Sequence, residues 1–530
     1  MLHTPRATRG MVVAPHHLAS QAGLGVLREG GNAVEAMIAA AAAIAVVYPH
    51  MNGLGGDNFW LISDGRGGPP VAIDACGAAA GLADVGFYRE RGLAAIPARG
   101  PLAANTVAGA VSGWQAAHAL AREMGGQLPL ARLLEDAIAY ARDGVPVTAS
   151  QHENTTDKKA ELAEVPGFSD TFLPEGDVPA VGAIFRQPAL AETLAGLAAR
   201  GLDDFYRGGV ARALAAGLEA AGSPLRAADL AAHRAARVTP LSLALRQATV
   251  YNLPPPTQGL ASLIILGLFE RLGVAEAESF VHLHGLIEAT KQAFIIRDGH
   301  IADPAAMTVD PAAFLTADAL DRMAAAIDPA RAADWDTGGA AGDTVWLGAI
   351  DGAGRSVSFI QSIYWEFGSG LVVGETGVTW QNRGTSFGLE SGARNPLVPG
   401  RKPFHTIQPA LARLADGREM VYGTMGGDGQ PQTQAALFTR HVIFGQELQA
   451  AVTAPRWLLG RTWGAESSNL RIENRVDAGV IAALRAAGHD VAEVGPFDPV
   501  MGHAGALVRH PSGLIEGAAD PRGDGLVAAF

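Results

Sequence analysis

The chain changes character once, close to residue 344. Helical patterns dominate to about residue 330, and the small residues that follow, ending at 337–343, predict a mobile tail. Two segments rich in β-branched and aromatic residues come next, 344–350 (TVWLGAI) and 355–363 (RSVSFIQSI), joined by the turn DGAG. They predict a β-hairpin. Thr344 is therefore a hydroxyl residue that opens a strand directly after the tail.

The N-terminal part alternates between strands and helices. Residues 10–14 (GMVVA) predict a strand, two helical stretches flank the break at Gly30, and residues 59–63 and 71–74 predict a hairpin. The apolar run at 36–47 is mostly alanine and is shorter than the ~20 residues of a membrane span. We therefore expect an α/β fold with a closely packed core helix and no membrane segment.

Composition limits the partners that the chain can have. Almost half of its 530 residues are apolar, fewer than a fifth are charged, and no linker divides it, so one large folded unit over residues 1–530 is expected. The formal net charge of −13 argues against nucleic acid as a partner. Cys76 is the only cysteine, which excludes an internal disulfide. The N-terminus lacks the apolar stretch of a secretory signal, so we expect a cytoplasmic protein.

A glycine cluster, 423–434 (GTMGGDGQPQTQ), follows an apolar run and precedes a helical pattern. A phosphate-binding P-loop would need Lys and then Ser or Thr, and the pattern G-x-G-x-x-G from Gly427 meets Gln432 at its third glycine. The charge of Asp428 would also oppose a phosphate. Two interpretations remain: a tight turn without chemistry, or an oxyanion hole of backbone N–H groups at a helix start.

Other local motifs carry less weight. Residues 384–388 (GTSFG) match the nucleophile pattern G-x-S-x-G around Ser386, but the glycines and prolines that follow exclude the required helix. His282 and His284 would point about 200° apart on a helix, and His152 has no second histidine at metal-binding spacing. We therefore predict no metal site.

Thr344 has the position of an N-terminal nucleophile. A cut directly before it would give the hydroxyl its own base, because a free α-amine titrates near pH ~8. The alternative is a threonine that merely suits a strand.

The order of several markers decides between these interpretations. They are GLGGDNFWLI (53–62), LPPPTQG (253–259), EATKQAFIIRDGHIADP (288–304), FGSGLVVGETG (367–377) and GTMGGDGQ (423–430). With them the whole chain resembles the γ-glutamyltransferase family of N-terminal nucleophile hydrolases. The resemblance implies a four-layer αββα sandwich and no metal or organic cofactor.

The resemblance also implies how the chain is processed and which residues react. A precursor would cut itself before Thr344 into a large subunit, 1–343, and a small catalytic subunit, 344–530, which pair and could form a dimer of such heterodimers. The family's nucleophile falls on Thr344, its supporting hydroxyl on Ser362 and its oxyanion glycines on Gly426 and Gly427.

The chain departs from the family where that family grips a γ-glutamyl group. Cys76 stands where an arginine holds the α-carboxylate, and Thr385 stands where an acid holds the α-ammonium. His405 and Thr406 replace paired serines, and Tyr364 replaces an asparagine. Without this charged clamp the site loses most of its discrimination for an amino-acid head group.

Among family members that keep the nucleophile and lack the clamp, the chain resembles in its motif MNGLGGDNFW (51–60) those that act on oxamate, a compound of purine catabolism. The resemblance therefore implies a small-molecule amide as substrate, with oxamate as the first candidate. Oxamate is an anion, and Arg383, His405 and His503 are the candidate cations for its carboxylate. The alternatives are γ-glutamyl transfer or glutathione hydrolysis, an acylase of the cephalosporin type, and a non-catalytic relative that binds a metabolite.

Overall fold

The computed structural model describes residues 3–335, 343–460 and 469–530. The expected mobile tail at 337–343 lies outside the described residues, except for the backbone of Asp343. Among the helices that the structure describes, none combines the length and apolarity needed to cross a bilayer.

Strands and helices alternate along the described chain. The strands are β1 Arg6–Ala7, β2 Gly10–Ala14, β3 Asp57–Ser63, β4 Val71–Ala75, β5 Val145–Pro146, β6 Ile184–Phe185, β7 Ala236–Val238, β8 Leu241–Ala244, β9 Ala248–Asn252, β10 Asp343–Asp351, β11 Ser356–Tyr364, β12 Val372–Val373, β13 Val378–Thr379, β14 Ala410–Leu414, β15 Glu419–Thr424, β16 Trp457–Leu459, β17 Leu470–Glu473, β18 Val491–Val494, β19 Ala504–Arg509, β20 Ile515–Ala519 and β21 Leu526–Ala529. The α-helices are α1 His17–Arg28, α2 Ala33–Val47, α3 Val85–Arg89, α4 Ala110–Glu123, α5 Leu130–Asp143, α6 Ala149–Leu162, α7 Phe168–Phe172, α8 Pro188–Arg200, α9 Asp204–Arg207, α10 Gly209–Ala221, α11 Ala227–Ala232, α12 Gly259–Leu272, α13 Phe280–His300, α14 Ala317–Ala325, α15 Gly429–Phe438, α16 Leu448–Thr453 and α17 Ala478–Ala486. Short 3-10 turns occupy Pro174–Gly176, Pro304–Ala306, Pro311–Leu315, Gly374–Thr376, Arg383–Ser386 and Pro499–Met501, and a π-helical turn occupies Thr439–Ile443.

Two seven-stranded sheets form the centre of the fold. One has the order β21-β2-β10-β11-β3-β4-β7 and the other β1-β20-β19-β15-β14-β9-β8, with antiparallel neighbours in both. Strand β3 shows the layering: Phe59 and Leu61 join the apolar cluster between the sheets, whereas Trp60 and Ile62 join the cluster under α1, α2 and α4. Helices α12, α13 and α15 cover the other sheet. The predicted four-layer αββα sandwich is confirmed.

The predicted core helix at 36–47 is α2, which begins three residues earlier. Its start is fixed by a capping box, in which the Asn32 side chain accepts from the N–H of Glu35 and the Glu35 carboxylate accepts from the N–H of Asn32 at 2.9 Å. Every residue of α2 is buried. The alanines therefore let the helix pack closely in its layer.

The predicted hairpin at 344–350 and 355–363 is confirmed as β10 and β11. The prediction that helices dominate to about residue 330 is wrong for β7, β8 and β9, of which β9 lies inside a sheet between β14 and β8. In β9, buried and half-buried residues alternate over only five residues. An alternation this short is hard to recognise in a sequence whose neighbouring segments have helical patterns. That residues 1–530 form one unit stays a prediction.

Candidate active site

Thr344 is the second residue of β10 and is buried. Gln430 Nε2, in the first turn of α15, lies 3.5 Å from Thr344 Oγ1. The amide of Gln430 is oriented because its Oε1 accepts from the N–H of Gln408 at 3.2 Å. The β10–β11 register shifts between Asp343 and Val345, so the strand is irregular at the threonine. The hydroxyl therefore lies beside the start of α15.

Ser362 lies near the end of β11, next to the strand start that carries Thr344. The N–H of Tyr364 donates to Ser362 Oγ at 2.8 Å, and Tyr364 pairs with Asp343 across the hairpin. Tyr364 has a φ of +83°, which a bulky residue seldom adopts. A Cβ on Gly56 would lie 2.2 Å from the Ser362 carbonyl oxygen, so that glycine allows a neighbouring loop to reach this strand.

The glycine cluster joins β15 to α15. Gly426 and Gly427 have φ values of +112° and +52°, the left-handed region that favours glycine. Their carbonyl oxygens accept from the N–H groups of Gly429 and Gln430 at 2.7 and 3.2 Å. Within the described part of the chain, the N–H groups of Gly426 and Gly427 have no hydrogen-bond acceptor. Two adjacent donors at a helix start are the arrangement that an oxyanion hole requires.

A buried polar network supports this turn from behind. Arg297 on α13 donates to Asp428 Oδ1 at 2.7 Å and to Gln258 Oε1 at 2.9 Å. Gln258 Nε2 in turn donates to the carbonyl oxygens of Gly427, at 2.9 Å, and Thr406, at 2.6 Å. The charge of Asp428 is thus neutralised within the fold.

Arg383 lies in the 3-10 turn after β13 and is completely buried. Its guanidinium donates to Thr406 Oγ1 at 3.2 Å and to Ser362 Oγ at 3.4 Å, and its central carbon lies 3.9 Å from the ring centre of Tyr364. Among the described residues, its Nε has no hydrogen-bond partner and no carboxylate lies within 4 Å of its guanidinium. Burial lowers the pKa of Arg383 to about 10, so it remains a cation at neutral pH.

Other completely or almost completely buried arginines in the structure are paired. A carboxylate lies within 3 Å of each of the following: Arg297, Arg440, Arg456 and Arg522. A buried charge without a partner is costly. Arg383 therefore has the surroundings of a residue that receives an anion from outside the protein.

His405 and Asp57 lie next to this cation. His405 Nε2 is 3.5 Å from Asp57 Oδ2 without hydrogen-bond geometry, and both ring nitrogens lack a partner among the described residues. Burial, with a smaller effect from Arg383, holds the pKa of His405 well below its usual range, so the ring is neutral. Burial raises the pKa of Asp57 to about 7, although Arg383 opposes that shift.

Two of the sequence-predicted residues have other neighbours. The Thr385 hydroxyl donates to the Asn382 carbonyl oxygen of its own turn at 2.9 Å. His503 follows Gly502, which packs against Gly426, and its ring lines a surface cavity of about 530 Å³. Burial lowers the pKa of His503 to about 4. Arg383 thus contacts the Ser362 hydroxyl. The contacts described for Thr385 and His503 are with other groups.

Comparison with known proteins identifies the family. The gamma-glutamyltranspeptidase pattern matches residues 19–530. The chain is 57% identical to the oxamate amidohydrolase proenzyme of Klebsiella pneumoniae subsp. pneumoniae, with 99% of both chains covered. It is 40% identical to the glutathione hydrolase-like YwrD proenzyme of Bacillus subtilis, with 98% of both covered. This chain belongs to the γ-glutamyltranspeptidase family.

A solved structure agrees with this assignment. The crystal structure of cephalosporin acylase from Bacillus halodurans superposes with a TM-score of 0.91 at 33% identity, covering 100% of this chain and 97% of that one. The predicted resemblance is confirmed, and so is the prediction of a hydrolase that acts on amide bonds.

The serine motif and two of the histidine positions singled out in the sequence of this γ-glutamyltranspeptidase-family chain lie in the described part of the structure. Ser386 ends a 3-10 turn and extended backbone follows it, so the helix of a nucleophile elbow is missing there, as predicted. His282 contacts Thr439, whereas His284 contacts His489, at 2.9 Å, and the carbonyl oxygen of Asp328. His284, His489 and Glu288 bring three candidate ligand atoms within 4.8 Å, but Lys291 already pairs with that glutamate at 2.7 Å.

Arg297→Met tests the network behind the glycine turn. We expect a loss of about 3–5 kcal/mol in the free energy of unfolding, because the variant removes one partner of a buried, hydrogen-bonded ion pair. Urea unfolding at a fixed protein concentration measures the loss. The double variant Arg297→Met/Asp428→Asn removes both charges and should recover part of the stability. Equal stability of Arg297→Met and the unchanged protein would contradict a structural role for the pair.

Proposed function

We propose that this chain is a self-processing amidohydrolase with Thr344 as its N-terminal nucleophile and a small anionic amide, oxamate first, as its substrate. The observation that carries the proposal is Arg383, a buried cation that contacts the Ser362 hydroxyl and lacks a carboxylate partner among the described side chains. The relative named oxamate amidohydrolase, at 57% identity, supports the choice of substrate.

Self-cleavage would begin with Thr344 in the uncut chain. Its Oγ attacks the carbonyl carbon of Asp343, the C–N bond breaks, and the hydroxyl proton passes to the nitrogen, which becomes the new α-amine. Water then hydrolyses the ester. The products are a carboxylate on Asp343 and a free hydroxyl and amine on Thr344.

Turnover would use the same atoms on an external amide. The α-amine of Thr344 accepts the hydroxyl proton as Oγ attacks the amide carbon, and the N–H groups of Gly426 and Gly427 stabilise the oxyanion. The leaving nitrogen takes the proton and departs as ammonia. Water then attacks the acyl ester and releases the acid, which for oxamate is oxalate.

The position of Arg383 suits this substrate. In oxamate the carboxylate is bonded directly to the amide carbonyl carbon, so the cation must lie close to the oxyanion hole. Arg383 contacts the Thr406 hydroxyl, and Gln258 joins the Thr406 carbonyl to that of Gly427. Arg383 and the glycine turn thus belong to one hydrogen-bond network, which supports binding of the carboxylate and the amide carbonyl side by side.

The same site gives little support to a γ-glutamyl head group. Cys76 is a buried thiol whose pKa is raised by burial, and its side chain belongs to the apolar cluster between the sheets. The Thr385 hydroxyl is used by its own turn. Each missing charged hydrogen bond costs about 2 kcal/mol, or about thirtyfold in kcat/KM.

A comparison of two substrates tests the proposal. N-terminal sequencing should first find a chain that starts at Thr344, because a non-catalytic relative would have no reason to be cut there. On the cut protein we expect kcat/KM for oxamate to exceed that for a γ-glutamyl anilide by at least about a hundredfold, since two charged contacts to the glutamyl group are missing. Equal or better turnover of the anilide would overturn the substrate assignment, and turnover only of an acylated cephalosporin would favour the acylase alternative.

A further inference from the structure

Asp57, at the start of β3, is a buried carboxylate for which the proposed mechanism has no role. Its Oδ1 accepts from the N–H groups of Gly77 and Gly109 at 3.0 and 2.9 Å, which fixes the carboxyl group. Its Oδ2 has no hydrogen-bond partner among the described residues and lies 3.5 Å from His405 Nε2. In the antiparallel pairing of β3 with β11, Asp57 lies opposite Ser362, so Asp57 is on the strand next to the supporting hydroxyl.

Several charged and titratable groups face this carboxyl from neighbouring elements. They are Arg383, His405, Cys76 and Tyr206, with the ion pair of Asp74 and Lys402 beyond the thiol. The nearby Gln381 amide donates to the Val107 carbonyl oxygen at 2.9 Å. Of the groups that act on Asp57 itself, Arg383 is the one that carries a positive charge.

An anion bound at Arg383 changes the net charge around Asp57. It brings a second negative charge close to Asp57 in a buried site that holds one cation, and like charges in such a site disfavour the ionised form of a carboxyl. Because the pKa of Asp57 is already raised to about 7 by burial, its protonation at neutral pH requires little free energy.

We propose that Asp57 takes up one proton from solvent when a small carboxylate-bearing amide binds at Arg383, so that the anion enters beside a neutral carboxyl. This deepens the proposed function and rests on Arg383 as the carboxylate anchor. The new Oδ2–H faces His405 Nε2 across 3.5 Å and can donate to that neutral ring on a small approach. The substrate stays an anion, and the proton returns to solvent when the product leaves. Asp57 is thus a specificity-determining residue that favours anionic amides at low pH.

The pH dependence of substrate choice tests this. Above pH ~7 the free enzyme carries ionised Asp57, and binding of an anion must first protonate it, so kcat/KM for oxamate should fall up to tenfold per pH unit relative to that for neutral oxamide. The ratio of the two constants cancels the titration of the Thr344 amine, which both substrates need. In Asp57→Asn the ratio should not change between pH 6 and 9. The exposed control Asp143→Asn should keep the slope of the unchanged protein.

A binding measurement keeps the test independent of turnover. Oxalate is titrated calorimetrically into the cut protein at pH 8 in two buffers of different ionisation enthalpy. We expect close to one proton taken up per oxalate, and none in Asp57→Asn. Absence of uptake, equal uptake by the variant, or no oxalate binding would overturn the proposal. Proton uptake without hydrolysis of oxamate would instead leave Asp57 assigned and refute the proposed substrate.

Discussion

Replacing Thr344 with alanine is expected to leave the chain uncut and without amidase activity. The variant removes the one hydroxyl that attacks the carbonyl of Asp343 during processing and the substrate carbonyl during turnover. The loss should be at least about 10⁴-fold in kcat, in line with the removal of other catalytic nucleophiles. Gel electrophoresis, N-terminal sequencing and an ammonia assay measure the two steps separately.

Two matched variants control this experiment. Thr344→Ser keeps a hydroxyl beside Gln430 and should retain some cleavage and some turnover. Ser386→Ala removes the serine of the G-x-S-x-G motif. Because Ser386 lies in a 3-10 turn and not in a nucleophile elbow, the variant should change neither step appreciably. A Thr344→Ala protein that still hydrolyses oxamate, together with an inactive Ser386→Ala protein, would show that the nucleophile has been misassigned.

Arg383→Met is expected to lower kcat/KM for oxamate by about 10²–10³. Hydrogen bonds to a charged group contribute about 1.5–3 kcal/mol each, and a carboxylate on a guanidinium can form two. The effect should fall mainly on oxamate, because neutral oxamide presents no charge to the missing cation. Steady-state kinetics with both amides on fully cut protein measure the difference.

The controls for Arg383 separate charge from folding. Arg383→Lys keeps a cation but loses the planar fork, so it should recover only part of the activity. Arg383→Met/Asp57→Asn removes the nearby buried carboxyl as well and should not restore turnover of oxamate. An equal loss for oxamate and oxamide in Arg383→Met would show that the arginine supports the fold and does not bind the carboxylate.

The sequence predicted the elements whose patterns are long or repeated. The mostly apolar α2 and the hairpin of β10 and β11 are visible because nine or more consecutive residues share one period or one composition. Strands β7 to β9 were missed since they contain only three to five residues each, and their place in a sheet is decided by partners far away in the chain.

The candidate site, too, could be predicted from the sequence only in part. Thr344 and the glycines could be predicted as candidates because motif order and a strand start mark them. Asp57 and Arg297 lay within recognised motifs, but their roles depend on contacts with His405 and Asp428, more than a hundred residues away. Burial also matters: a single sequence does not reveal that Arg383 lacks a carboxylate partner within the described ranges, because pairing is a property of three-dimensional neighbours.

The strand order affects how the cut protein can unfold and refold. Each seven-stranded sheet takes strands from both sides of Thr344, and β10 lies between β2 of the upstream part and its own partner β11. Once the proposed cut is made, neither piece contains a complete seven-stranded sheet, and each would expose unpaired strand edges if separated. Refolding would then need two chains to meet, and would compete with aggregation in a concentration-dependent way. The uncut precursor folds as one chain, so its stability is an equilibrium quantity, whereas the lifetime of the cut enzyme is set by how slowly it first comes apart.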